Sequence, residues 1–117
     1  MTWKGFWNMT ELTTIEANVL NIILPYRFDK PIKFEKVQER TKLGRRTLQN
    51  VLETLKKKWH PVGSHKTAPF GLYMAKTREE LEIGMRANVK QAETTLEIAR
   101  VQRGIDLEEY WKDVANG

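Results

Sequence analysis

Arg45-Arg46-Thr47-Leu48-Gln49-Asn50-Val51-Leu52 is the stretch on which the reading of this chain turns. Leu48, Val51 and Leu52, with Leu55 a turn further on, fall on one side of a helical pattern. Two arginines and two side-chain amides fall on the other. Arginine matches the guanine edge in the DNA major groove, and Asn or Gln matches adenine. A helix that is aliphatic behind and Arg/Gln/Asn in front has the make-up of a recognition helix. Every surface helix has a polar face, however, so the neighbours of this one carry the decision.

Upstream, Lys42-Leu43-Gly44 reads as a tight connection in which Gly44 can take the angles of a turn or a cap. Before it, Phe34, Val37 and Leu43 bracket a short polar helix from Phe34 to Thr41, and Arg27 to Pro31 is a loop. Two helices joined by a short glycine-containing turn make a helix-turn-helix, the second running from about Arg45 to Lys58. Further back, Thr13-Thr14-Ile15-Glu16 is a capping-box pattern. It opens a helix whose apolar face is Ile15, Val19, Leu20, Ile22, Ile23 and Leu24 and which Pro25 ends.

Downstream, Pro61 to Pro69 is turn chemistry, and Phe70, Leu72 and Met74 alternate with Gly71, Tyr73 and Ala75 as in a strand. Trp59 to Ala75 therefore reads as a β-hairpin with a basic tip at His65 and Lys66. A second capping box, Thr77-Arg78-Glu79-Glu80, opens the longest helix, with its acids where the helix dipole favours them. Leu81, Met85, Val89, Ala92, Leu96 and Ala99 recur along it as a narrow, heptad-like stripe. Gly104 stops that helix, and Asp106-Leu107-Glu108-Glu109 caps a last short one carrying Tyr110, Trp111 and Val114.

The expected fold is mainly α (α+β): three helices plus a β-hairpin wing, followed by a long C-terminal helix. Residues 1–12 form an aromatic arm (Trp3, Phe6, Trp7), 13–76 the winged helix-turn-helix, and 77–117 the long and short terminal helices, a dimerisation element.

Charge is concentrated where the motifs are. Between Lys30 and Lys76 stand 12 Lys/Arg against three Glu (Glu35, Glu39, Glu53), a net of +9 in a chain of net +5. A basic middle flanked by near-neutral or acidic ends is the footprint of a phosphate-binding surface; the competing reading is a solubilising basic face. The 117 residues favour one domain with an appended element. With no cysteine, a disulfide framework and a thiolate metal site are excluded, and a reducing cytoplasm is expected. No apolar run approaches the roughly 20 residues that span a bilayer, and the N-terminus lacks a signal-peptide layout.

The order of these elements resembles a winged-helix DNA-binding domain over Thr13 to Lys76. Pro61-Val62-Gly63-Ser64 and Gly71-Leu72-Tyr73-Met74-Ala75-Lys76-Thr77, with Glu79-Glu80, are similar to the wing and helix entry of small helix-turn-helix proteins encoded by phages and prophages of Gram-positive bacteria. The wing also resembles that of biotin-operon-type repressors. In those phage proteins a long helix follows the wing, as here, although this wing tip is longer and carries two prolines. The resemblance implies sequence-specific binding of double-stranded DNA in a phage or mobile-element setting. It leaves open transcription control or a replication or packaging role with a partner protein. A winged helix that binds only protein is a further alternative.

Arg45, Arg46, Gln49 and Asn50 are the expected base-facing residues, with Thr47 at the DNA among them and Glu53 turning toward DNA if the helix is rotated by one position. Lys56 and Lys57 are expected at phosphates, Lys42 at the DNA beside them, and His65 and Lys66 of the wing along a phosphate strand or in the minor groove. Lys56-Lys57-Lys58 equally suits a helix C-terminus, where positive charge is favourable. Leu81, Met85, Val89, Ala92, Leu96 and Ala99 are expected at a homodimer seam, the competing reading being packing on the first helix and wing. His60 and His65 lack a third metal ligand. No phosphate loop, His-Glu-x-x-His, cysteine nucleophile or triad is present, so neither catalysis nor a cofactor is expected.

Overall fold

A computed structural model describes residues 11–117; the aromatic arm, apart from Glu11 and Leu12, lies outside the described residues. The described chain is mostly helical with one small antiparallel sheet. Its elements are α1 (Thr14–Ile23), α2 (Phe34–Thr41), α3 (Arg45–Lys57), β1 (Val62–His65), β2 (Gly71–Met74), the long α4 (Arg78–Arg103) and α5 (Leu107–Asn116). They form two compact units, the first ending at Met85 and the second comprising Arg86–Gly117.

The capping box starts α1 as expected. The Glu16 N–H donates to Thr13 Oγ1 (3.2 Å) and the Thr13 N–H to Glu16 Oε1 (3.0 Å). Val19, Leu20 and Ile23 are buried, whereas Ile15 and Leu24 are half-exposed and lie off the inward face. Glu16 has a second role: Lys58 Nζ sits 2.7 Å from its Oε1 and also donates to the Glu11 carbonyl at 3.1 Å. Lys58 thus ties the end of α3 to the start of α1. The Lys58 and Thr13 hydrogen bonds hold the Glu16 carboxyl below its ordinary range.

In the α2–α3 turn Gly44 serves as a cap, one of the two roles its sequence position allows. The left-handed residue is Lys42 (φ 60°), while Gly44 is the N-cap of α3 with ordinary extended angles. A Cβ at Gly44 would meet nothing within 4 Å. Side chains hold the turn: Thr41 Oγ1 donates to the Val37 carbonyl (2.7 Å), and Gln38 Nε2 donates to the Leu43 carbonyl (3.4 Å).

The hairpin pairs Val62 with Met74, Gly63 with Tyr73, Ser64 with Leu72 and His65 with Gly71. Ile32 adds a third position, exchanging two backbone hydrogen bonds with Leu72 (2.9 and 2.7 Å). That close approach requires glycine next door. Gly71 has φ 144°, and a Cβ there would stand 2.6 Å from the Ile32 carbonyl.

The expected in–out alternation of this strand does not hold. All four residues of β2 are buried, and Phe70 lies outside the strand, 62% exposed. The reason is that both faces of the hairpin are covered. Leu72 and Met74 enter the helical core, while Tyr73 is enclosed on the other side by Phe28, His65 and the first turns of α4. Its hydroxyl donates to the Glu80 carbonyl (2.9 Å), and glycines stand where it needs room: a Cβ at Gly63 would lie 2.4 Å from its Cζ, and one at Gly84 would lie 2.6 Å from its hydroxyl. Burial first, then the Glu80 carboxylate, raises the Tyr73 pKa. At the entry to α4, Thr77 Oγ1 accepts from the Glu80 N–H (3.1 Å), but Glu80 Oε1 reaches back to the Lys76 N–H (2.8 Å), one residue earlier than a capping box.

The core joins Val19, Leu20, Ile23, Ile32, Val37, Leu48, Leu52, Leu55, Val62, Leu72 and Met74. His60 is buried at its margin, and its Nε2 has no hydrogen-bond partner among the described residues. Burial, and secondarily Lys58, lower its pKa from 6.5. The unfolded chain therefore takes up a proton near pH 6.5 that the folded chain resists. Stability is complete above that pH and falls as the pH drops below it toward the folded value. Urea midpoints at pH 7.5 and 5.5 should show the loss in wild type and a smaller one in His60→Met. The remaining acid limb, below pH 4.5, belongs to Glu16, whose stabilisation is lost as the pH falls through its depressed value. A loss between pH 7.5 and 5.5 that is as large in His60→Met as in the wild type would refute the assignment to His60.

In the second unit, α4 continues to Arg103, Gly104 follows, and Asp106 caps α5 by accepting from the Glu109 N–H (3.1 Å). Among the described residues, no helix is long and apolar enough to cross a membrane.

Candidate nucleic-acid interface

Leu48, Leu52 and Leu55 turn one face of α3 into the core, with Val51 half-buried beside them. At 100° per residue the opposite, outermost line is Arg46, Asn50, Glu53 and Lys57. Arg45, Gln49 and Lys56 form one flank of this line and Thr47 lies on the other; all of these residues are exposed. The buried leucines fix which residues share this outward line. Asn50 and Glu53 stand in register with Arg46, and Gln49 with Arg45.

The two arginines are held differently. The Arg45 guanidinium lies over the Phe34 ring at 5.0 Å from its centroid, a cation–π contact that fixes it at the head of the helix. Arg46 points outward on the central line.

The N-terminus of α3 is electrostatically unlike the other helices. The first turns of α1, α2, α4 and α5 each carry Glu, the sign that the helix dipole favours. The first turn of α3 has no acid, its cap Gly44 supplies no side-chain acceptor, and Arg45 and Arg46 stand there instead. Positive side chains, the positive dipole end and uncapped N–H groups thus coincide.

The far end of α3 meets the hairpin. Lys56 is held below its ordinary pKa first by partial desolvation and then by the nearby Lys66 ammonium, with Glu53 opposing. Lys42 and Lys57 are exposed, Lys42 at the α2–α3 turn.

His65 is placed elsewhere than expected. It occupies the last paired position of β1, not the tip, and its ring packs against Phe28 (4.5 Å) and Tyr73 (4.7 Å). Its Nε2 is 2.8 Å from the Phe28 carbonyl. That hydrogen bond and the two ring contacts tie it to the fold, leaving Lys66 as the exposed basic residue of the hairpin. Lys58, the third lysine of its run, is engaged with Glu16 and is a structural residue.

Of the seam residues, Leu81 is partly covered in the first unit beside exposed Met85; in the second, Val89, Ala92 and Leu96 are exposed and Ala99 is half-buried. Sequence reasoning missed a groove of about 520 Å³ between α1 and the end of α2, lined by Ile15, Ile22, Pro25, Tyr26, Leu43 and Arg40 among others. Its signal was present in Ile15, an apolar residue one step off the inward face of α1. Among the described residues, no group of three or more His, Cys, Asp or Glu is placed to hold a metal ion. No known protein family, curated protein or solved structure matches the chain.

Proposed function

We propose that this chain is a winged-helix protein that binds double-stranded DNA sequence-specifically, as a dimer, and regulates transcription in a phage or mobile element. The order α1, α2, turn, α3, hairpin supports the winged helix, as does Ile32, which bridges β2 where a third strand would pair. The observation that carries the DNA reading is the reversed charge at the start of α3. Cations replace the first-turn acids of the other helices at a cost in helix stability of a few tenths of a kcal/mol or more. A surface selected only for solubility has no reason to place them there. A phosphate or a guanine edge does.

In this reading Arg46, Asn50 and Glu53 face base edges, with Glu53 accepting from cytosine amino groups, while Lys57, Lys42 and the Lys56–Lys66 pair neutralise phosphates. Counterion release then makes affinity fall steeply with salt. The reaction is binding alone, with no cofactor. Selection of bound sequences from random duplexes, followed by gel shift at two salt concentrations, tests it. A two-fold repeated motif is expected, and no shift on any duplex at low salt overturns the reading. The α1–α2 groove favours a second reading, a replication or packaging accessory that also binds a partner protein. Co-purification of such a partner without promoter repression would favour it.

A further inference from the structure

The second unit leaves large apolar side chains uncovered along three lines. Val89 and Leu96 lie on the expected seam of α4. Ile98 and Val101 are displaced from Leu96 by two and five residues, which at 100° per residue places them on the opposite side of the same helix, and Ile105 follows in the turn. Leu107, Tyr110, Trp111 and Val114 make an i, i+3, i+4, i+7 stripe on α5. These nine residues are between 40% and 69% exposed. With side chains of this size they present on the order of 1,000 Å² of apolar surface per copy, comparable with the roughly 800 Å² per partner of a stable interface.

We propose that residues 86–117 are half of a four-helix bundle made by two copies of this chain, in which α5 of one copy covers the Ile98–Val101 side of α4 of the other. This deepens the dimer proposed above and rests on it. Pairing two α4 helices alone would bury the Val89–Leu96 line and leave the other two lines in water. Those two lines are each other's natural cover. Charge agrees with the exchange: between Arg86 and Arg103, α4 carries four cations against Glu93 and Glu97, while α5 with its cap carries Asp106, Glu108, Glu109 and Asp113 against Lys112. The occupant is a second copy because α5 leaves its own stripe more than half exposed within the single chain.

Sedimentation equilibrium of the full chain tests this. The wild type should be a dimer. Leu96→Asp, Val101→Asp and Trp111→Ala should each weaken it about tenfold or more, with the urea unfolding of the first unit unchanged. Dimerisation lost in Leu96→Asp but untouched by Val101→Asp and Trp111→Ala would overturn the bundle and leave the DNA-binding dimer standing. A wild type that stays monomeric would overturn both the bundle and the dimer, while gel shift still reports DNA binding separately. The absence of native cysteine allows a direct test of exchange. Differently tagged chains carrying Val101→Cys and Val114→Cys, mixed and oxidised, should form a disulfide across tags. A doubly substituted chain that closes only on itself, as a monomer, would overturn the exchange.

Discussion

Gly63→Ala is expected to destabilise the first unit by about 1–3 kcal/mol, toward or beyond the upper end of that range for an overpacked site. The added methyl would stand 2.4 Å from Cζ at the hydroxyl end of the Tyr73 ring, and that ring is fully buried with Phe28, His65 and Gly84 around it. A flexible side chain could yield; an enclosed aromatic ring between two backbone approaches cannot. Gly84→Ala is the more informative companion. Alanine in a helix interior gains about 1 kcal/mol over glycine, but here its Cβ meets the Tyr73 hydroxyl at 2.6 Å, so the net effect is a loss. Removing that hydroxyl changes the sign. Tyr73→Phe alone should cost about 1 kcal/mol through its hydrogen bond to the Glu80 carbonyl. In the Tyr73→Phe background Gly84→Ala should be neutral or stabilising, whereas Gly63→Ala, which strikes ring carbons, should remain damaging. Urea midpoints of the four-member cycle measure this coupling. Additive losses at Gly84 and Tyr73 would show that the ring is not seated between the glycines as described.

Arg46→Ala should reduce discrimination between the selected duplex and random DNA by roughly 1–3 kcal/mol, about 5- to 150-fold. Arg46 lies on the outermost line of α3, away from the buried leucines. Lys57→Ala should weaken binding to both duplexes alike and reduce the salt slope by about 1. Arg45→Ala should differ from both, because it also removes the contact with Phe34. A loss of about 0.5–1 kcal/mol in folding stability should accompany its effect on DNA. Competition gel shifts with the two duplexes at several salt concentrations separate these outcomes. Equal losses on both duplexes in all three variants would remove the base-reading role from Arg46.

The elements themselves were legible because they are local. Thr13 and Glu16 announce the start of α1, Gly104 the end of α4, and the leucine spacing of α3 its inward face. The strand alternation was misread because period-two logic assumes one wet face. Tyr73 is buried on the face that would have been wet, since the start of α4 returns to cover it, and nothing within four residues of Tyr73 says so. The turn was legible as a tight connection with Gly44 as a cap, but not the residue that takes its left-handed angle. Gly44 is the residue with the widest conformational freedom, yet the left-handed angle falls at Lys42, where helix α2 has to end for Leu43 to pack against the core.

Charge placement along the chain was readable before any coordinates: the basic middle, the arginines at the head of α3 and the acids at the heads of the other helices are matters of composition and order. What the sequence could not express is which charges stand free and which are engaged. Lys58 and Glu16 are 42 residues apart and form an ion pair, His65 is anchored through the Phe28 carbonyl, and the charge of Lys66 on the hairpin is felt by Lys56 at the end of α3. Helix and strand signals depend on neighbours within a few positions. The partner of a side chain depends on the path of the whole backbone, and so only the folded chain decided it.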